Sequence, residues 1–470
     1  MSAGADSARA DDVSNDLIRA LEGALQKKQI LTRTSELLCY AYDATAGEAG
    51  RAPDVVVLPA STDEVAGVVR IARDAGVPVY PRGAGTSLSG GAIPARGGIV
   101  LSTAAMDAVL ELDVANQCAV VQPGVVIQHL NDLAAEHGLM YPPDPGSVAV
   151  ATMGGSIAEC AGGLRGLKYG VTKHYVTGLE VVLADGQVVR LGGKSTKNVT
   201  GYDLVGLFVG SEGTLGVITE ATVRLVPAPE ARATMSAAFA RSGDASRTVA
   251  AIVAGNVVPA TLEYIDATTL RLVEEYLHAG LPVEAAALLL IEVDGPPEAV
   301  AREAELVERV CREHGGEVER AADDEARERL WAARRAAYPA LARQSRGTIV
   351  EDATVPRSRV PEMLAAIEDI AARYDLTIAT VGHAGDGNLH PTVLVDPGDK
   401  DLMDRAHAAV AEVFRAALDM GGTLSGEHGI GSAKAPYLSW ALGDGGMDLT
   451  RRIKAAFDPQ DILNPGKFTA

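Results

Sequence analysis

The sequence predicts an α+β protein built from two domains. A chain of 470 residues exceeds the usual size of one domain, and its 47% content of hydrophobic residues gives ample material for a core. In the first half, short apolar strands alternate with loops rich in glycine. After Pro229, longer strands alternate with amphipathic helices. This change of pattern divides the chain into 1–228, with a helical segment at about 1–50, and 229–470.

The first half contains a predicted strand–helix–strand unit. An apolar strand lies within 51–59, and Ser61 then starts a Ser-x-x-Glu capping box. The helix after it has apolar residues at helical spacing, and the next strand ends in a glycine-rich loop. Later in this half we predict strands at 99–101, 108–112, 118–122 and 222–226, a helix at 126–137, and a hairpin of 179–183 and 188–191 around Asp185-Gly186.

The second half is predicted to form an antiparallel sheet with helices on one side. Its helices are amphipathic, and Val300, Ala304, Val307 and Cys311 form one apolar stripe. The predicted strands are 233–239, 261–265, 286–293 and 318–321. The predicted helices are 243–254, 266–278, 297–314, 323–344, 403–418 and 450–457.

The loop at 81–91 contains four glycines, two serines and a threonine. Glycine lets the backbone come close to a ligand, and successive N–H groups form a concavity that binds anions. Leu88 stands where the dinucleotide pattern G-x-G-x-x-G needs its third glycine, and no lysine completes a P-loop. The composition therefore favours a pyrophosphate cradle of another kind, with an ordinary surface turn as the alternative.

Two further glycine-rich stretches lie at 152–163 and 208–218, and a rigid proline-rich turn lies at 141–147. One extended cofactor lying along these loops would require small residues wherever the backbone touches it. Each loop taken alone could equally be a tight turn.

Histidines are concentrated in two glycine-rich segments of the second half. They read HAGDGNLHP at 383–391 and SGEHGIG at 425–431. Two histidines and a glutamate are a known ligand set for a divalent metal that keeps one position open. His390 lies seven positions after His383, across a turn, so spacing alone is a weak metal signal, and hydrogen-bonded turn residues are the alternative.

The formal net charge of −20 argues against binding to nucleic acid or to an anionic membrane surface. The four cysteines are scattered without metal or iron–sulfur spacing, and we expect no disulfides. No apolar run approaches the roughly 20 residues that cross a bilayer, and no secretory signal follows Met1. We expect a cytoplasmic protein without a transmembrane segment, peripheral to a membrane only through a partner.

Five blocks of the first half resemble, in order, the signatures of the vanillyl-alcohol oxidase superfamily. They read PRGAGTSLSGG, PPDPGS, GGSIAECAGG, KYG and GSEGTLGVITE. The resemblance is strongest to the FAD-linked D-2-hydroxyacid dehydrogenase branch, with its glycolate oxidase catalytic subunits and D-lactate dehydrogenases, and covers about 50–467. It implies a PCMH-type FAD-binding domain followed by an FAD-linked oxidase C-terminal α+β domain with an antiparallel sheet.

The resemblance implies that FAD binds to these blocks, and the last segment, about 450–470, is implied to return to the FAD domain through FDPQDILNPGK. Because the loop 81–91 contains no histidine, we expect no covalent link through it. The implied cofactor-binding residues are Pro81, Arg82, Gly83, Ala84, Gly85, Thr86, Ser87, Gly90, Gly91, Pro145, Gly146, Ser147, Thr152, Gly154, Gly155, Ser156, Ala158, Gly162, Tyr169, Gly170, Glu212, Gly213, Gly216, Ile218 and Asn464.

The segments HAGDGNLHP and SGEHGIG resemble the two C-terminal signatures of the same family. By that resemblance, His383, His390 and Glu427 hold a divalent metal (zinc, manganese or iron), and His428 is the catalytic base. The implied reaction is metal-assisted oxidation of a 2-hydroxyacid to a 2-oxoacid, with the hydroxyl proton passing to His428 and a hydride to flavin N5.

The segment 331–338 resembles the substrate-binding helix of the family. Arg334 suits bidentate pairing with a carboxylate, and Tyr338 lies four residues further on the same helix face, so we expect both to bind substrate together with His428. The alternatives are a solvated basic pair on a helix and, as anion partner, Arg82 near the flavin.

One departure from the family bears on the substrate. The D-2-hydroxyglutarate enzymes carry a lysine where Glu351 aligns, and a carboxylate there would repel a second substrate carboxylate. We therefore expect a small monocarboxylate, glycolate or D-lactate. The alternatives are a D-2-hydroxyglutarate dehydrogenase, an enzyme like alkyl-glycerone-phosphate synthase, and a non-catalytic flavoprotein that relays electrons.

The electrons must leave to a separate acceptor, because the chain lacks iron–sulfur cysteines. An iron–sulfur subunit, an electron-transfer flavoprotein, a cytochrome and a quinone are all compatible with the sequence, as is a homodimer.

Overall fold

The first sheet forms around the strand–helix–strand unit. A computed structural model describes residues 15–45 and 50–468. A helix over 15–22 (α1) is followed by β1 (Ile30–Leu31), α2 (Thr34–Leu38), β2 (Val55–Val57), α3 (Thr62–Ala75), β3 (Val79–Arg82) and β4 (Ile99–Ser102). The sheet order is β1-β2-β4-β3, in which β2 and β3 run parallel to β4. The loop 83–91 therefore leaves the carboxyl end of a parallel strand.

Helix α3 begins and ends where its sequence directs. The side chain of Ser61 accepts a hydrogen bond from the Glu64 N–H at 3.3 Å, while the Glu64 carboxylate accepts from the Ala60 N–H at 2.7 Å. Gly76, at φ +62°, ends the helix in the left-handed region that glycine adopts without strain. The buried face of the helix packs into one cluster with Val55, Val57 and Leu101.

A second, antiparallel sheet carries the other two glycine-rich stretches. Its strands are β5 (Val109–Asp113), β6 (Cys118–Val121), β8 (Val176–Val182), β9 (Val188–Gly192) and β10 (Val217–Arg224), in the order β5-β6-β10-β8-β9. Between and beside them lie α4 (Ile127–Ala135), β7 (Leu139–Met140), α5 (Met153–Glu159), α6 (Gly166–Tyr169), α7 (Leu204–Phe208) and β11 (Val226–Pro227). The predicted hairpin is present, with Val182 opposite Val188.

The second half forms an eight-stranded sheet. Its strands are β12 (Ala231–Phe239), β13 (Thr261–Asp266), β14 (Ala287–Gly295), β15 (Glu317–Arg320), β16 (Gly347–Val350), β17 (Ala353–Thr354), β18 (Ile378–His383) and β19 (Asn388–Val395). The order is β15-β12-β14-β13-β18-β19-β16, β17 pairs with β19, and every pairing is antiparallel. The helices are α8 (Ser242–Ala254), α9 (Ala267–Leu277), α10 (Pro297–Glu313), α11 (Asp324–Arg335), α12 (Ala337–Gln344), α13 (Val360–Tyr374), α14 (Lys400–Asp419) and α15 (Leu438–Phe457).

The prediction of helices on one side of this sheet is wrong. Strand β14 is buried at every position from Ala287 to Asp294. Leu289 and Ile291 pack with α8, α10 and α13, while Leu288 and Leu290 pack with α9 and α12. Since successive side chains of a strand point to opposite faces, the unbroken apolar run of β14 requires cover on both faces.

Several predicted elements also have different bounds. Among its described residues, the segment predicted as helical up to residue 50 contains α1, a 3-10 turn (Lys27–Gln29), β1 and α2, and 1–14 and 46–49 lie outside the described residues. The strand predicted at 222–226 starts earlier, at Val217, inside the glycine-rich stretch. The helix predicted at 323–344 is divided at Ala336, and the one at 450–457 is the end of α15, which is interrupted at Gly443.

The end of the chain lies against the first sheet. Leu463 forms a bridge with Val79, and the Lys467 ammonium donates to the carbonyls of Gly90, at 2.5 Å, and Ile93, at 3.0 Å. Ile462 and Leu463 belong to the core cluster of the first sheet. The division of the chain at 228/229 stays a prediction. No described helix has both the length and the apolar character needed to cross a membrane.

Candidate active site

A cavity of about 540 Å³ is lined by residues of both halves. The first half contributes its three glycine-rich stretches and the turn at 145–147. The second half contributes α11, α12, β16, β18, β19 and the loop 427–428. Most of the predicted site residues therefore surround one space.

The glycine loop after β3 folds as it does because side chains would not fit. A Cβ at Gly83 would lie 2.1 Å from Thr152 Oγ1, and one at Gly154 would lie 2.5 Å from the Pro123 Cβ. Gly85 has φ +70° and lies against the Arg82 guanidinium. Arg82 itself donates to the Tyr42 carbonyl at 2.8 Å and lines the cavity. The glycines of this loop therefore let its backbone pack closely against Thr152 and Arg82 at the cavity wall.

Twenty-one of the predicted cofactor-binding residues line this cavity. They are Pro81, Arg82, Gly83, Ala84, Gly85, Thr86, Ser87, Gly91, Pro145, Gly146, Ser147, Thr152, Gly154, Gly155, Ser156, Ala158, Gly162, Glu212, Gly213, Gly216 and Ile218.

Four predicted residues lie outside the lining. The Gly90 carbonyl accepts a hydrogen bond from the Lys467 ammonium. The side-chain amide of Asn464 donates to the carbonyls of Gly91, at 3.0 Å, and Glu212, at 2.6 Å. The Tyr169 hydroxyl donates to Asp294, and Gly170 ends α6. These four residues connect parts of the chain around the cavity.

Glu159 lines the cavity although the sequence did not single it out. Burial raises the pKa of Glu159 well above its ordinary value, and the nearby Glu212 carboxylate raises it further. Burial also raises the pKa of Glu212, although that carboxylate accepts hydrogen bonds from the Ile430 and Gly431 N–H groups. Glu212 therefore connects the cavity wall of the first half to the loop that carries His428.

The three predicted metal ligands converge on one point. His383 Nε2 and His390 Nε2 each lie 3.2 Å from Glu427 Oε1. One ligand atom from each of the three residues lies within 4.8 Å of the others. Both histidines are buried and Glu427 is nearly so. Two imidazoles and one carboxylate at this separation suit a divalent cation.

His428 lies beside this cluster. Its Nε2 is 3.8 Å from Glu427 Oε1, and its ring is stacked on that of His390 with centroids 4.8 Å apart. Burial lowers the pKa of His428 to about 4, with the charges of His390 and Lys434 adding to the effect against that of Asp352. A neutral imidazole able to accept a proton therefore faces the cavity at physiological pH.

Glu427 is anionic in this setting. Burial alone would raise the pKa of Glu427, but the charges and hydrogen bonds of His383 and His390 outweigh it and hold the pKa well below its ordinary value. Its Oε2 is buried and has no hydrogen-bond partner among the described residues, as is also true of Nδ1 in His390 and in His428. A Cβ on Gly162 would lie 2.5 Å from that Oε2, so only glycine fits at this contact.

The predicted substrate-binding residues also reach the cavity. Arg334 and Tyr338 both line it, one at the end of α11 and the other in α12. The Arg334 side chain is 14% exposed, and its Nε donates to Glu263 Oε2 at 2.7 Å. That contact leaves the outer edge of the guanidinium for a ligand, so Arg334 is not a solvated surface residue.

Two buried carboxylates of the site were missed in the sequence. Glu263 is fully buried in β13 and contacts both Arg334 and His383. Asp352 is fully buried, and its Oδ2 accepts hydrogen bonds from Ser425 Oγ and from the N–H groups of Gly426, Glu427 and His428. In both cases the available signal was an acidic residue inside or directly after an apolar strand.

Glu351 does not face the cavity, so the prediction that Glu351 repels a second substrate carboxylate is wrong. Its neighbour Val350 lines the cavity, whereas Glu351 Oε2 lies 3.8 Å from Lys434 Nζ. Successive side chains of an extended strand point in opposite directions, so only one of the two can face the cavity.

Arg335, the residue after Arg334, also lines the cavity.

The cavity fits FAD. Three loops of small residues line one space, which matches an extended dinucleotide, and the His₂Glu cluster lines the same space. Two family models match the chain: an FAD binding domain over residues 53–192 and the C-terminal domain of FAD linked oxidases over residues 228–468.

This chain belongs to the FAD-linked oxidases.

Relatives of this FAD-linked oxidase match nearly its whole length. The glycolate oxidase subunit GlcD of Bacillus subtilis is 51% identical over 92% of this chain and 92% of its own length. GlcD of Escherichia coli K12 is 38% identical over 98% of this chain and 92% of its own. A D-lactate dehydrogenase of Archaeoglobus fulgidus is 38% identical over 88% and 90%. The predicted family and cofactor, FAD, are confirmed.

Solved structures show the same fold at lower identity. A p-cresol methylhydroxylase with bound substrate superposes with a TM-score of 0.82 at 19% identity, covering 97% of each chain. An alkyldihydroxyacetonephosphate synthase superposes with a TM-score of 0.76 at 22% identity, covering 96% of this oxidase and 86% of that chain. The predicted α+β architecture, an FAD-binding domain followed by an oxidase C-terminal domain, is confirmed.

Proposed function

We propose that this FAD-linked oxidase converts a small D-2-hydroxyacid, glycolate or D-lactate, to the 2-oxoacid. The observation that carries the proposal is the meeting of His383, His390 and Glu427 with His428 and Arg334 at the cavity lined by the glycine-rich loops. Two relatives are named glycolate oxidase subunits and a third D-lactate dehydrogenase, which supports the same substrate class.

Each residue has a task in this reaction. Arg334 holds the substrate carboxylate through the outer edge of its guanidinium. His383, His390 and Glu427 would hold a divalent cation, zinc, manganese or iron, beside the hydroxyl group. His428 takes the hydroxyl proton. When bound, FAD accepts the two electrons and the Cα hydrogen, and the cation supplies Lewis acidity.

The positions of these residues exclude water from the reacting atoms. His383, His390 and Glu263 are buried, and Leu341, Val350 and Val381 add apolar wall. A low-dielectric site strengthens the attraction between Arg334 and a carboxylate relative to water. The arrangement thus binds an anion, orients its hydroxyl group toward the histidines and keeps the proton at His428.

Arg335 supports a second candidate substrate. This second guanidinium in the cavity lining offers a partner for another carboxylate, although it also pairs with Glu328 at the surface. With Glu351 facing away, no acidic side chain of β16 opposes a dicarboxylate. D-2-hydroxyglutarate is therefore the second candidate.

We also propose that electrons leave to a separate protein. Two relatives are named as subunits, which supports a partner such as an iron–sulfur subunit, an electron-transfer flavoprotein or a cytochrome; a quinone is the small-molecule option.

The test is an anaerobic titration of the FAD-loaded protein with glycolate, D-lactate and D-2-hydroxyglutarate, followed in the flavin spectrum. One acid should bleach the flavin, and prior chelation of metal should slow the bleaching. His428→Gln should keep the flavin spectrum and lose bleaching, whereas His407→Gln, at an exposed position in α14, should behave like the wild type. A flavin that none of the acids reduces would refute the substrate proposal.

A further inference from the structure

Glu263 occupies an unusual place for a charged side chain. It lies in β13, in the middle of the eight-stranded sheet, and is fully buried. Its backbone is paired with Leu290 of β14. A buried carboxylate is costly unless every oxygen has a strong partner, so its contacts indicate what it is there to do.

The two oxygens of Glu263 have different partners. Oε1 lies 2.7 Å from His383 Nδ1, and Oε2 accepts from Arg334 Nε at 2.7 Å. One partner belongs to the proposed metal cluster and the other to the proposed carboxylate site. The residues come from three separate parts of the chain, β13, β18 and α11.

The contact with His383 fixes which ring nitrogen carries the proton. A carboxylate can only accept, so Nδ1 must be the donor. With a cation in place of the other ring proton, the lone pair of His383 lies on Nε2, the atom that lies 3.2 Å from Glu427 Oε1. Glu263 thus turns the ligand atom of His383 toward the cluster.

The contact with Arg334 fixes the direction of the guanidinium. Because Nε is engaged by Glu263, the side chain is held along one line from β13 to the cavity. The other N–H groups of the planar fork are not used by this contact, and Arg334 lines the same cavity as His390 and His428.

We infer that Glu263 is a positioning residue that aligns the metal-ligating histidine and the carboxylate-binding arginine together. It touches neither substrate nor cation and acts through His383 and Arg334. The inference rests on the proposed function, since it assigns a cause to the geometry of that same site. Replacing the carboxylate with an amide of equal size should disturb the contacts with His383 and Arg334 at once.

Glu263→Gln is the test variant. An amide NH₂ facing Nδ1 would require the lone pair there and put the proton on Nε2, which then cannot ligate a cation. In the FAD-loaded protein, Mn²⁺ binding measured by equilibrium dialysis should weaken by about 10- to 100-fold, the usual effect of losing such a partner. The KM for the acid that reduces the wild-type flavin should rise, while the FAD content stays the same.

Glu292→Gln is the matched control. Glu292 is a buried glutamate on the neighbouring strand β14, and its Oε2 accepts from Arg327 Nε, also of α11, at 2.8 Å and from Thr234 Oγ1 at 2.7 Å. This variant removes a similar buried glutamate–arginine pair away from the cavity. It should lower stability without changing Mn²⁺ affinity or KM.

Arg334→Lys tests the contact of Glu263 with the arginine separately from its contact with His383. It should raise KM while leaving Mn²⁺ affinity within about threefold of the wild type, since Glu263 still contacts His383.

The possible results distinguish this inference from the proposed function. Weaker Mn²⁺ binding in Glu263→Gln but not in Glu292→Gln supports the inference. Unchanged Mn²⁺ affinity in Glu263→Gln, with a wild type that binds Mn²⁺, overturns the inference alone. Equal losses in both glutamine variants overturn it too, because the effect is then one of general stability. A wild-type protein that binds no Mn²⁺ refutes the proposed metal centre and the inference with it.

Discussion

Asp144 shows how burial sets the charge of a single residue next to the cavity. It follows the prolines of the turn before Pro145, and its side chain is 13% exposed. Burial raises the pKa of Asp144 to about 6, against the charge and backbone N–H of Arg165. Arg165 Nε lies 3.3 Å from Asp144 Oδ2, and the more distant charges of His383 and Glu263 also act on it.

The titration of Asp144 should be visible in the pH dependence of the free energy of unfolding. The pKa of Asp144 is about 6 in the folded state and about 3.8 in the unfolded state. The contribution of Asp144 to the free energy of unfolding is therefore fully present below about pH 3.8 and is lost as pH rises through 6. A shift from 3.8 to about 6 corresponds to about 3 kcal/mol. Asp144→Asn should flatten the fall in unfolding free energy between pH 4 and 6.5, measured by urea denaturation.

Asp113→Asn is the control for this measurement. Hydrogen bonds from Lys194 and Asn116 lower the pKa of Asp113 to about 2, so its titration lies below the window. A profile of Asp144→Asn that runs parallel to that of the wild type between pH 4 and 6.5 would contradict the prediction.

The loop 425–428 is the element on which the proposed chemistry depends most. It has no regular hydrogen-bonding pattern of its own, and a single oxygen, Asp352 Oδ2, accepts from one side chain and three backbone N–H groups within it. At its far end, Glu212 accepts the N–H groups of Ile430 and Gly431. Two carboxylates, one from each half of the chain, thus fix the positions of Glu427 and His428.

Asp352→Asn should loosen this loop. The amide keeps the size of the side chain but loses the charge, so the oxygen that accepts from the four donors holds each of them more weakly. A displacement of about 1 Å at His428 is enough to lower kcat by about 100-fold. Flavin reduction by stopped flow should show this loss while the FAD content stays at the wild-type level.

Asp399→Asn is the corresponding neutral change. Asp399 caps α14 by accepting from the Leu402 N–H at 3.1 Å, and asparagine caps helices equally well. Its flavin reduction rate should equal that of the wild type. A normal rate in Asp352→Asn as well would show that the loop keeps its shape without the carboxylate.

At the scale of the whole molecule, the two halves are joined by polar contacts around the cavity. Asp294, at the end of β14, accepts from the Lys168 ammonium at 2.5 Å through Oδ1 and from the Tyr169 hydroxyl at 2.8 Å through Oδ2. Asp294 is 4% exposed. Tyr169, predicted to bind the cofactor, therefore contacts the second half of the chain outside the cavity lining.

Asp294→Asn should weaken the connection between the halves by about 2 to 3 kcal/mol, because two hydrogen bonds to a charged group are affected. Both tryptophans, Trp331 and Trp440, lie in the second half, while the glycine-rich loops that fit FAD lie in the first. Urea unfolding followed by tryptophan and by flavin fluorescence should give coincident transitions in the wild type and separate ones in the variant.

The control breaks an ion pair within one half. Lys194 contacts Asp113 at 2.9 Å and Glu111 at 2.5 Å beside β5, and because exposed ion pairs contribute little to stability, Lys194→Met should leave the transitions coincident. Coincident transitions in Asp294→Asn would mean that other contacts join the halves.

The sequence by itself determined the features whose chemistry is local. The glycine-rich loops could be found because their residue types follow one another in the chain, and the short motifs around His383, His390, Glu427 and Arg334 could be found through their resemblance to a family. Most strands of the first half were predictable for the same reason, since alternation and turn residues act over short distances. The cavity lining places these segments around one space.

Only the tertiary structure decided which side chains face that space. Glu263 contacts His383 across 120 residues, and Asp352 binds the His428 N–H across 76. Whether Val350 or Glu351 faces the cavity depends on how β16 pairs with β19, since a shift of one residue exchanges the two faces of a strand. Strand pairing and long-range burial are set by the packing of the whole sheet, and no local pattern of residues specifies them.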